Sequence, residues 1–161
     1  MRLAIGNGKT CTRNASTDMA GLVDTNILVY RVDRRFPAKR EIATAFLRSG
    51  LEQDELRIAH QSIVEFIAAV TRPRGKDGSI LSMDEAVRQA EALLDTFPVL
   101  YPTEAVVRHA LRGMATYQLP WFDAHMWAYA EFYNLSPLLH GGLRIRHPSS
   151  LGTVEIVNPL A

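Results

Sequence analysis

Three acidic residues occupy positions that folding of the chain could bring together in one site. Asp24 ends a short apolar segment, Glu65 lies near the start of a helical pattern, and Asp123 follows shortly after Pro120. If the apolar segments are strands of an open α/β sheet, the carboxyl ends of those strands are where ligands gather. Carboxylates from distant parts of the chain would then form a hard, oxygen-rich site that suits Mg²⁺ or Mn²⁺.

The chemistry available to such a site is metal-assisted hydrolysis of a phosphodiester. A carboxylate-held cation neutralises the phosphate, lowers the pKa of a bound water and orients its attack, so no protein nucleophile is needed. Each acid also has a structural interpretation: Asp24 could cap a helix, and Asp123 could complement a helix N-terminus. Glu65 could be only the capping-box partner of Ser62. A phosphatase working through an aspartyl-phosphate is excluded, because Asn26 stands where its motif requires a second acid.

Short apolar segments alternate with segments of helical periodicity along the chain. Strands are predicted at 22–23, 56–59, 97–100, 135–139 and 154–157. Helices are predicted from Ile27, over 37–49 with Gly50 as the stop, from Ser62, from Ser82, from Thr103 to about Thr116, and from about Trp121 to Tyr133. This alternation predicts an α/β fold, a single domain whose central parallel sheet of about four to five short strands is flanked by helices.

The composition indicates one folded domain of ordinary size. The 161 residues are 47% hydrophobic, and 18 basic and 17 acidic residues give a net charge of +1, so charge alone identifies no partner. No apolar run is long enough to span a membrane, and the lone Cys11 excludes an internal disulfide, so we expect a soluble, cytoplasmic protein. Residues 1–19 predict a disordered extension with Met19 as a candidate start, and residues 20–161 are predicted to form the domain.

Four local motifs carry a family resemblance. Residues 23–28 (Val-Asp-Thr-Asn-Ile-Leu) closely resemble the opening motif of PIN domains, 62–66 (Ser-Ile-Val-Glu-Phe) resemble the second motif, and 121–124 (Trp-Phe-Asp-Ala) resemble the third. Residues 152–159 (Gly-Thr-Val-Glu-Ile-Val-Asn-Pro) resemble the closing strand of VapC-type toxins. Because the motifs occur in the correct order over residues 20–161, the chain is identified by resemblance as a PIN-domain protein.

The resemblance implies a Mg²⁺-dependent endoribonuclease that acts on RNA as the toxin of a toxin–antitoxin pair. A cognate antitoxin would wrap the toxin and block its site, and PIN toxins commonly pair as homodimers. By the same resemblance Asp24 and Asp123 are the main metal ligands, and Glu65 completes the catalytic site directly or through water. Thr25 and Asn26 would fix the loop of the first acid through hydrogen bonds, and Thr25 would also hold a metal-bound water.

The segment 140–148 departs from the family pattern. VapC-type toxins usually carry an acidic motif there, similar to Ser-Glu-Asp-Leu-Gln-His-Gly, whereas this chain has His-Gly-Gly-Leu-Arg-Ile-Arg-His-Pro. Loss of the fourth acid favours an alternative function, a degenerate PIN domain that binds RNA or antitoxin without cleavage. A local shift of reading frame would also explain the departure. Codons can be chosen that encode the observed residues in one frame and, when read from the second base, encode Thr-Glu-Asp-Phe-Glu-Tyr-Gly. If the residues stand as given, His140 and His147 are either metal or phosphate ligands or incidental residues of a glycine-rich loop.

Aromatic residues near the third acid have two interpretations. They could stack on RNA bases, but their helical spacing is more typical of core or interface positions. These residues are Trp121, Trp127, Phe132 and Tyr133. A scaffold or antitoxin-like module that uses only its hydrophobic surface is the third class of function.

Overall fold

The computed structural model describes residues 20–141 and 150–161, and the extension predicted at 1–19 lies outside them. The described chain contains six α-helices, one short 3-10 turn (Gly75–Asp77) and six strands. In chain order these are β1 (Gly21–Val23), α1 (Thr25–Val32), α2 (Pro37–Glu52), β2 (Leu56–Ala59), α3 (His60–Thr71), α4 (Met83–Thr96), β3 (Val99–Leu100), α5 (Glu104–Tyr117), α6 (Trp121–Phe132), β4 (Leu138–Leu139), β5 (Ser150–Leu151) and β6 (Val154–Val157). None of the described helices combines the length and the apolar character needed to cross a membrane.

The strands form one sheet in the order β3-β2-β1-β4-β6-β5. Neighbours from β3 to β6 pair in parallel, whereas β5 pairs antiparallel with β6. The predicted α/β fold with a mostly parallel central sheet is therefore confirmed. The expectation of about four to five strands missed β5, because the two residues Ser150 and Leu151 are too few to show an alternating pattern.

The central strand β1 is buried because helices cover both faces of the sheet. Leu22 packs on one face in a hydrophobic core that includes Trp127 and Tyr129 of α6. The next residue, Val23, packs in the core of the opposite face with Phe66 of α3. This two-sided burial is what a central parallel strand requires, and it fixes the position of the residue that follows β1.

Two helix N-caps predicted from the sequence are confirmed, and one predicted helix end is wrong. The hydroxyls of Ser82 and Thr103 accept backbone N–H hydrogen bonds at the starts of α4 and α5, as N-cap residues do. Gly50, predicted to stop a helix, instead lies inside α2, which continues to Glu52. A Cβ at Gly50 would collide with the side chain of Leu56, so close packing of α2 on β2 explains this glycine.

Candidate active site

Asp24 lies at the centre of the carboxyl edge of the sheet. It directly follows β1, and its backbone N–H donates to the carbonyl of Leu139 at the end of β4, at 2.9 Å. Only 8% of the residue is exposed. Although Asp24 occupies the N-cap position of α1, its side chain makes no capping hydrogen bond. The position of Asp24 as a helix cap is thus confirmed, and the same residue also lines the cavity of the site.

The side chains of Asn26 and His140 contact the carboxylate of Asp24. Nδ2 of Asn26 donates to Oδ2 at 3.0 Å, and Nε2 of His140 lies 3.4 Å from the same oxygen. Burial raises the pKa of Asp24, and the nearby charge of Asp123 adds to the increase. His140 and Asn26 act in the opposite direction. The negative charge of Asp24 is therefore costly in the fold unless a positive charge compensates it.

Glu65 lies in the second turn of α3 and is half-buried. Nε2 of Gln61 donates to Oε1 of Glu65 at 2.6 Å and to the backbone carbonyl of Phe122 at 3.1 Å. Burial is the largest cause of a raised pKa at Glu65, and the Gln61 hydrogen bond opposes it. The charges of Asp24 and Asp123 raise the pKa of Glu65 further. The three acids predicted from the sequence are thus near enough to act on one another electrostatically.

The capping box predicted for Ser62 and Glu65 is wrong. Helix α3 begins three residues earlier than expected, with Ala59 instead of Ser62 as its N-cap residue, so Ser62 lies inside the helix. The buried hydroxyl of Ser62 donates to the carbonyl of Val23 at 3.1 Å. This hydrogen bond ties α3 to the end of β1, and it leaves Glu65 without the capping role.

Asp123 reaches the site from the first turn of α6. Together with Asp24 and His140 it lines a cavity of about 20 Å³, which is room for roughly one water-sized occupant. The remaining lining is mostly apolar and consists of Leu119, Met126, Trp127, Leu138, Leu151 and Ile156. Apolar walls strengthen electrostatic interactions, because they keep the effective dielectric constant low.

His140 lies at the site beside Asp24, whereas the sequence left it open between a ligand and an incidental loop residue. It directly follows β4, and its backbone N–H donates to the carbonyl of Val157 at 2.9 Å. Because β1 and β4 are parallel neighbours, the imidazole comes to lie against the carboxylate of Asp24. The interpretation of His140 as an incidental loop residue is therefore wrong, and its position directly after a predicted strand was the signal. His147 lies outside the described residues.

The donor set of the site fits a hard divalent cation. Asp24, Glu65 and Asp123 offer carboxylate oxygens, and the buried hydroxyl of Thr25 adds an oxygen beside Glu65, whose pKa it lowers by hydrogen bonding. Oxygen donors of this kind suit Mg²⁺ and Mn²⁺. Over residues 20–141 and 150–161, no three His, Cys, Asp or Glu side chains are already close enough to form a metal-binding group. The carboxylates would therefore have to turn toward a cation in order to bind it.

Comparison with known families agrees with this geometry. The family model described as PIN domain matches residues 21–149, and the chain belongs to the PIN-domain family. Proteins of this family are generally nucleases and typically use Mg²⁺. A sequence comparison with curated proteins gives no match.

Several solved structures share the fold. A toxin–antitoxin complex from Klebsiella pneumoniae aligns with a TM-score of 0.58 at 17% identity, over 87% of this chain and 98% of that chain. The DNA-bound VapBC complex from Salmonella typhimurium aligns with a TM-score of 0.62 at 15% identity, over 88% and 98% respectively. A Mycobacterium tuberculosis toxin that cleaves the sarcin–ricin loop aligns with a TM-score of 0.53 at 14% identity, over 74% and 87%. At these identities the similarity shows the fold alone.

Proposed function

We propose that this protein is a metal-dependent endoribonuclease, active with Mg²⁺ or Mn²⁺, and the toxin of a toxin–antitoxin pair in the cytoplasm. The observation that carries the proposal is the meeting of Asp24, Glu65 and Asp123 at the carboxyl edge of the sheet. Membership of the PIN-domain family supports nuclease chemistry. Among the solved structures of similar fold, two are toxin–antitoxin complexes and one is a toxin described as cleaving the sarcin–ricin loop, which supports RNA as substrate and an antitoxin as partner.

Each residue of the site has a distinct part in this proposal. A divalent cation would supply Lewis-acid chemistry, because it neutralises charge on the phosphodiester and favours ionisation of an attacking water. Asp24 and Asp123 would hold the cation, and the hydrogen bond from Asn26 keeps the first carboxylate in place. Glu65, held by Gln61, would orient the water. The apolar wall of the cavity would shield Asp24 and Asp123 from bulk solvent.

A second candidate function follows from the contact between His140 and Asp24. In the resemblance to VapC-type toxins, the strand that ends at Leu139 is followed by an acid, whereas here an imidazole lies 3.4 Å from the first carboxylate. A cationic imidazole would compete with a metal ion for that carboxylate. In this case the protein would be a degenerate PIN domain that binds RNA or its antitoxin without cleavage.

Cleavage of structured RNA distinguishes the two functions. The purified protein is incubated with RNA and Mg²⁺, with and without a chelator, and compared with the variants Asp24→Asn and Asp95→Asn. Asp95 is an exposed carboxylate in the last turn of α4, so its variant controls for the loss of one negative charge. Cleavage that requires metal, is lost in Asp24→Asn and persists in Asp95→Asn supports the nuclease. RNA binding without cleavage supports the degenerate domain, and neither binding nor cleavage contradicts both.

The toxin assignment and the partners need their own measurements. Expression in a bacterial host should arrest growth, and the arrest should disappear in Asp24→Asn. The antitoxin should be encoded beside the toxin gene, and its co-expression should restore growth. A homodimer is the proposed assembly, and light scattering of the purified protein gives its mass directly. A monomeric mass would contradict the homodimer while leaving the nuclease proposal intact.

A further inference from the structure

Two aromatic side chains meet at the same edge of the sheet as the acids. His60 directly follows β2, and Tyr101 directly follows β3. Their ring centroids are 5.5 Å apart, with an interplanar angle of 33°. Because β3, β2 and β1 are parallel neighbours, these rings lie at the carboxyl edge beside Asp24. A strand spacing of about 4.8 Å puts the backbone of Tyr101 roughly 10 Å from that of Asp24.

A second aromatic pair adjoins the first at the start of α6. Trp121 stacks on His125 with centroids 5.3 Å apart and an interplanar angle of 23°. Gln61, the residue after His60, donates to the carbonyl of Phe122, the residue after Trp121, so the two pairs are near each other. Phe122 lies between Trp121 and Asp123 in the chain. We call the aromatic surface at this edge the ring edge. It is formed by His60, Tyr101, Trp121 and Phe122.

A hydrogen-bonded link connects the ring edge to the acids. The side-chain amide of Gln61 donates to Glu65 and to the backbone carbonyl of Phe122. Gln61 itself is buried and directly follows His60. The start of α3 and the start of α6 are therefore held together.

Core packing does not explain the exposed members of the ring edge. Trp127 and Tyr129, which also belong to α6, are buried in the hydrophobic core. In contrast, Tyr101 is 56% exposed and Phe122 is 58% exposed. Exposed rings beside a phosphodiester-cleaving site are suited to the flat faces of nucleobases, and in RNA such faces are accessible only where bases are unpaired.

We propose that the ring edge is a stacking surface for the unpaired RNA bases that flank the cleaved phosphate. This inference rests on the proposed nuclease function and adds the class of substrate, single-stranded or looped RNA. Stacking on aromatic side chains tolerates any base sequence. The ring edge would therefore select unpaired structure, and sequence preference would come from other parts of the protein.

Binding of labelled RNA to non-cleaving protein tests the ring edge. In an Asp24→Asn background, fluorescence anisotropy is measured with a fluorescein-labelled single-stranded RNA and with a duplex RNA of the same length. Tyr101→Ala and Phe122→Ala should each weaken single-strand binding by about 5- to 150-fold, the range for loss of one stacked base. Tyr101→Phe keeps the ring and should bind normally. Duplex binding should not change.

The matched control is Phe132→Ala. Phe132 is an exposed aromatic residue at the opposite end of α6, so its loss removes a similar surface at a distance from the acids. Equal effects of Tyr101→Ala and Phe132→Ala would overturn the stacking surface. So would unchanged RNA affinity combined with weakened binding of an antitoxin, because the ring edge would then be a protein interface.

A kinetic measurement separates failure of the ring edge from failure of the nuclease proposal. In the protein with intact acids, Tyr101→Ala should raise KM for a single-stranded substrate more than it lowers kcat. If the intact protein cleaves RNA and Tyr101→Ala leaves KM unchanged, the stacking surface is wrong and the nuclease stands. If the intact protein neither binds nor cleaves RNA, both proposals fail.

Discussion

Replacing Asp24 by asparagine should stabilise the metal-free protein and abolish its stabilisation by divalent cations. The carboxylate is only 8% exposed, and its pKa is raised first by burial and then by the charge of Asp123. An amide has nearly the same shape, carries no charge and can still accept the hydrogen bond from Asn26. The substitution therefore removes a desolvated charge without creating a cavity.

The raised pKa of Asp24 determines whether the stability of the fold rises or falls with pH. Because the folded pKa lies above the unfolded one, the folded chain binds more protons between the two values. Stability is thus highest below the ordinary aspartate pKa of about 4 and falls as the pH rises through the folded pKa. Glu65 has a raised pKa as well and remains in the variant, so Asp24→Asn should reduce this slope without removing it.

The size of the effect of Asp24→Asn on stability can be expressed as a change in the melting temperature, Tm. Each pKa unit of the increase corresponds to about 1.4 kcal/mol, and 1 kcal/mol shifts the Tm of a domain of this size by about 2–4 °C. Asp24→Asn should therefore raise the Tm in chelator at neutral pH by about 3–6 °C for each pKa unit. A cation at 100 times its Kd should stabilise the unsubstituted protein by about 2.7 kcal/mol, or about 5–11 °C.

Thermal melts followed by circular dichroism provide the assay. The protein, Asp24→Asn and the exposed-site control Asp95→Asn are compared over a pH series in chelator and then over a series of Mg²⁺ concentrations. The control should match the unsubstituted protein in both series. An Asp24→Asn protein that melts lower in chelator at every pH, or that keeps the full Mg²⁺ shift, would refute the reasoning.

Three further substitutions test the packing and the site. Gly113→Ala should destabilise the fold by about 1–3 kcal/mol in denaturant melts although alanine favours helices, because the new Cβ meets the buried ring of Trp127; a stabilised variant would contradict this. Ser62→Ala should cost about 1 kcal/mol through the lost hydrogen bond to the carbonyl of Val23, and an unchanged melt would show that this bond contributes nothing. His140→Asp should raise Mg²⁺ affinity in calorimetry by about tenfold, or roughly 1.4 kcal/mol, because it adds a negative charge beside the buried carboxylate; equal or weaker binding would count against a cation at this position.

Local signals in the sequence predicted the fold better than they predicted the site. The N-caps at Ser82 and Thr103 were predicted correctly because a cap forms between residues three positions apart. The roles of Gly50 and Ser62 were predicted wrongly because each is determined by a residue outside its own helix. Their partners are Leu56 and Val23, and the contact with Val23 depends on tertiary packing that no local pattern encodes.

The residues of the site can likewise be divided into those that local sequence signals predicted and those that only tertiary contacts reveal. The three acids were predicted because Asp24 and Asp123 stand at strand or helix boundaries and Glu65 lies near the start of a helical pattern, and the structure brings them within electrostatic reach of one another. Their roles as metal ligands and catalytic groups remain predictions. The contact of His140 with Asp24 was not predicted, because the pairing of β1 with β4 joins segments more than a hundred residues apart. The same is true of Gln61, whose contact with Phe122 crosses from α3 to α6.

The position of β1 between β2 and β4 has a consequence for synthesis of the protein. A nascent chain that has reached residue 120 already contains Asp24 and Glu65. It still lacks Asp123, and it lacks the strand β4 that pairs with the second side of β1. The three acids can therefore meet only after Asp123 and β4 have been made, and under the proposed toxin function shorter translation products should be harmless to the host. A gene divided between β3 and α6 would accordingly encode two halves, neither of which carries all three acids.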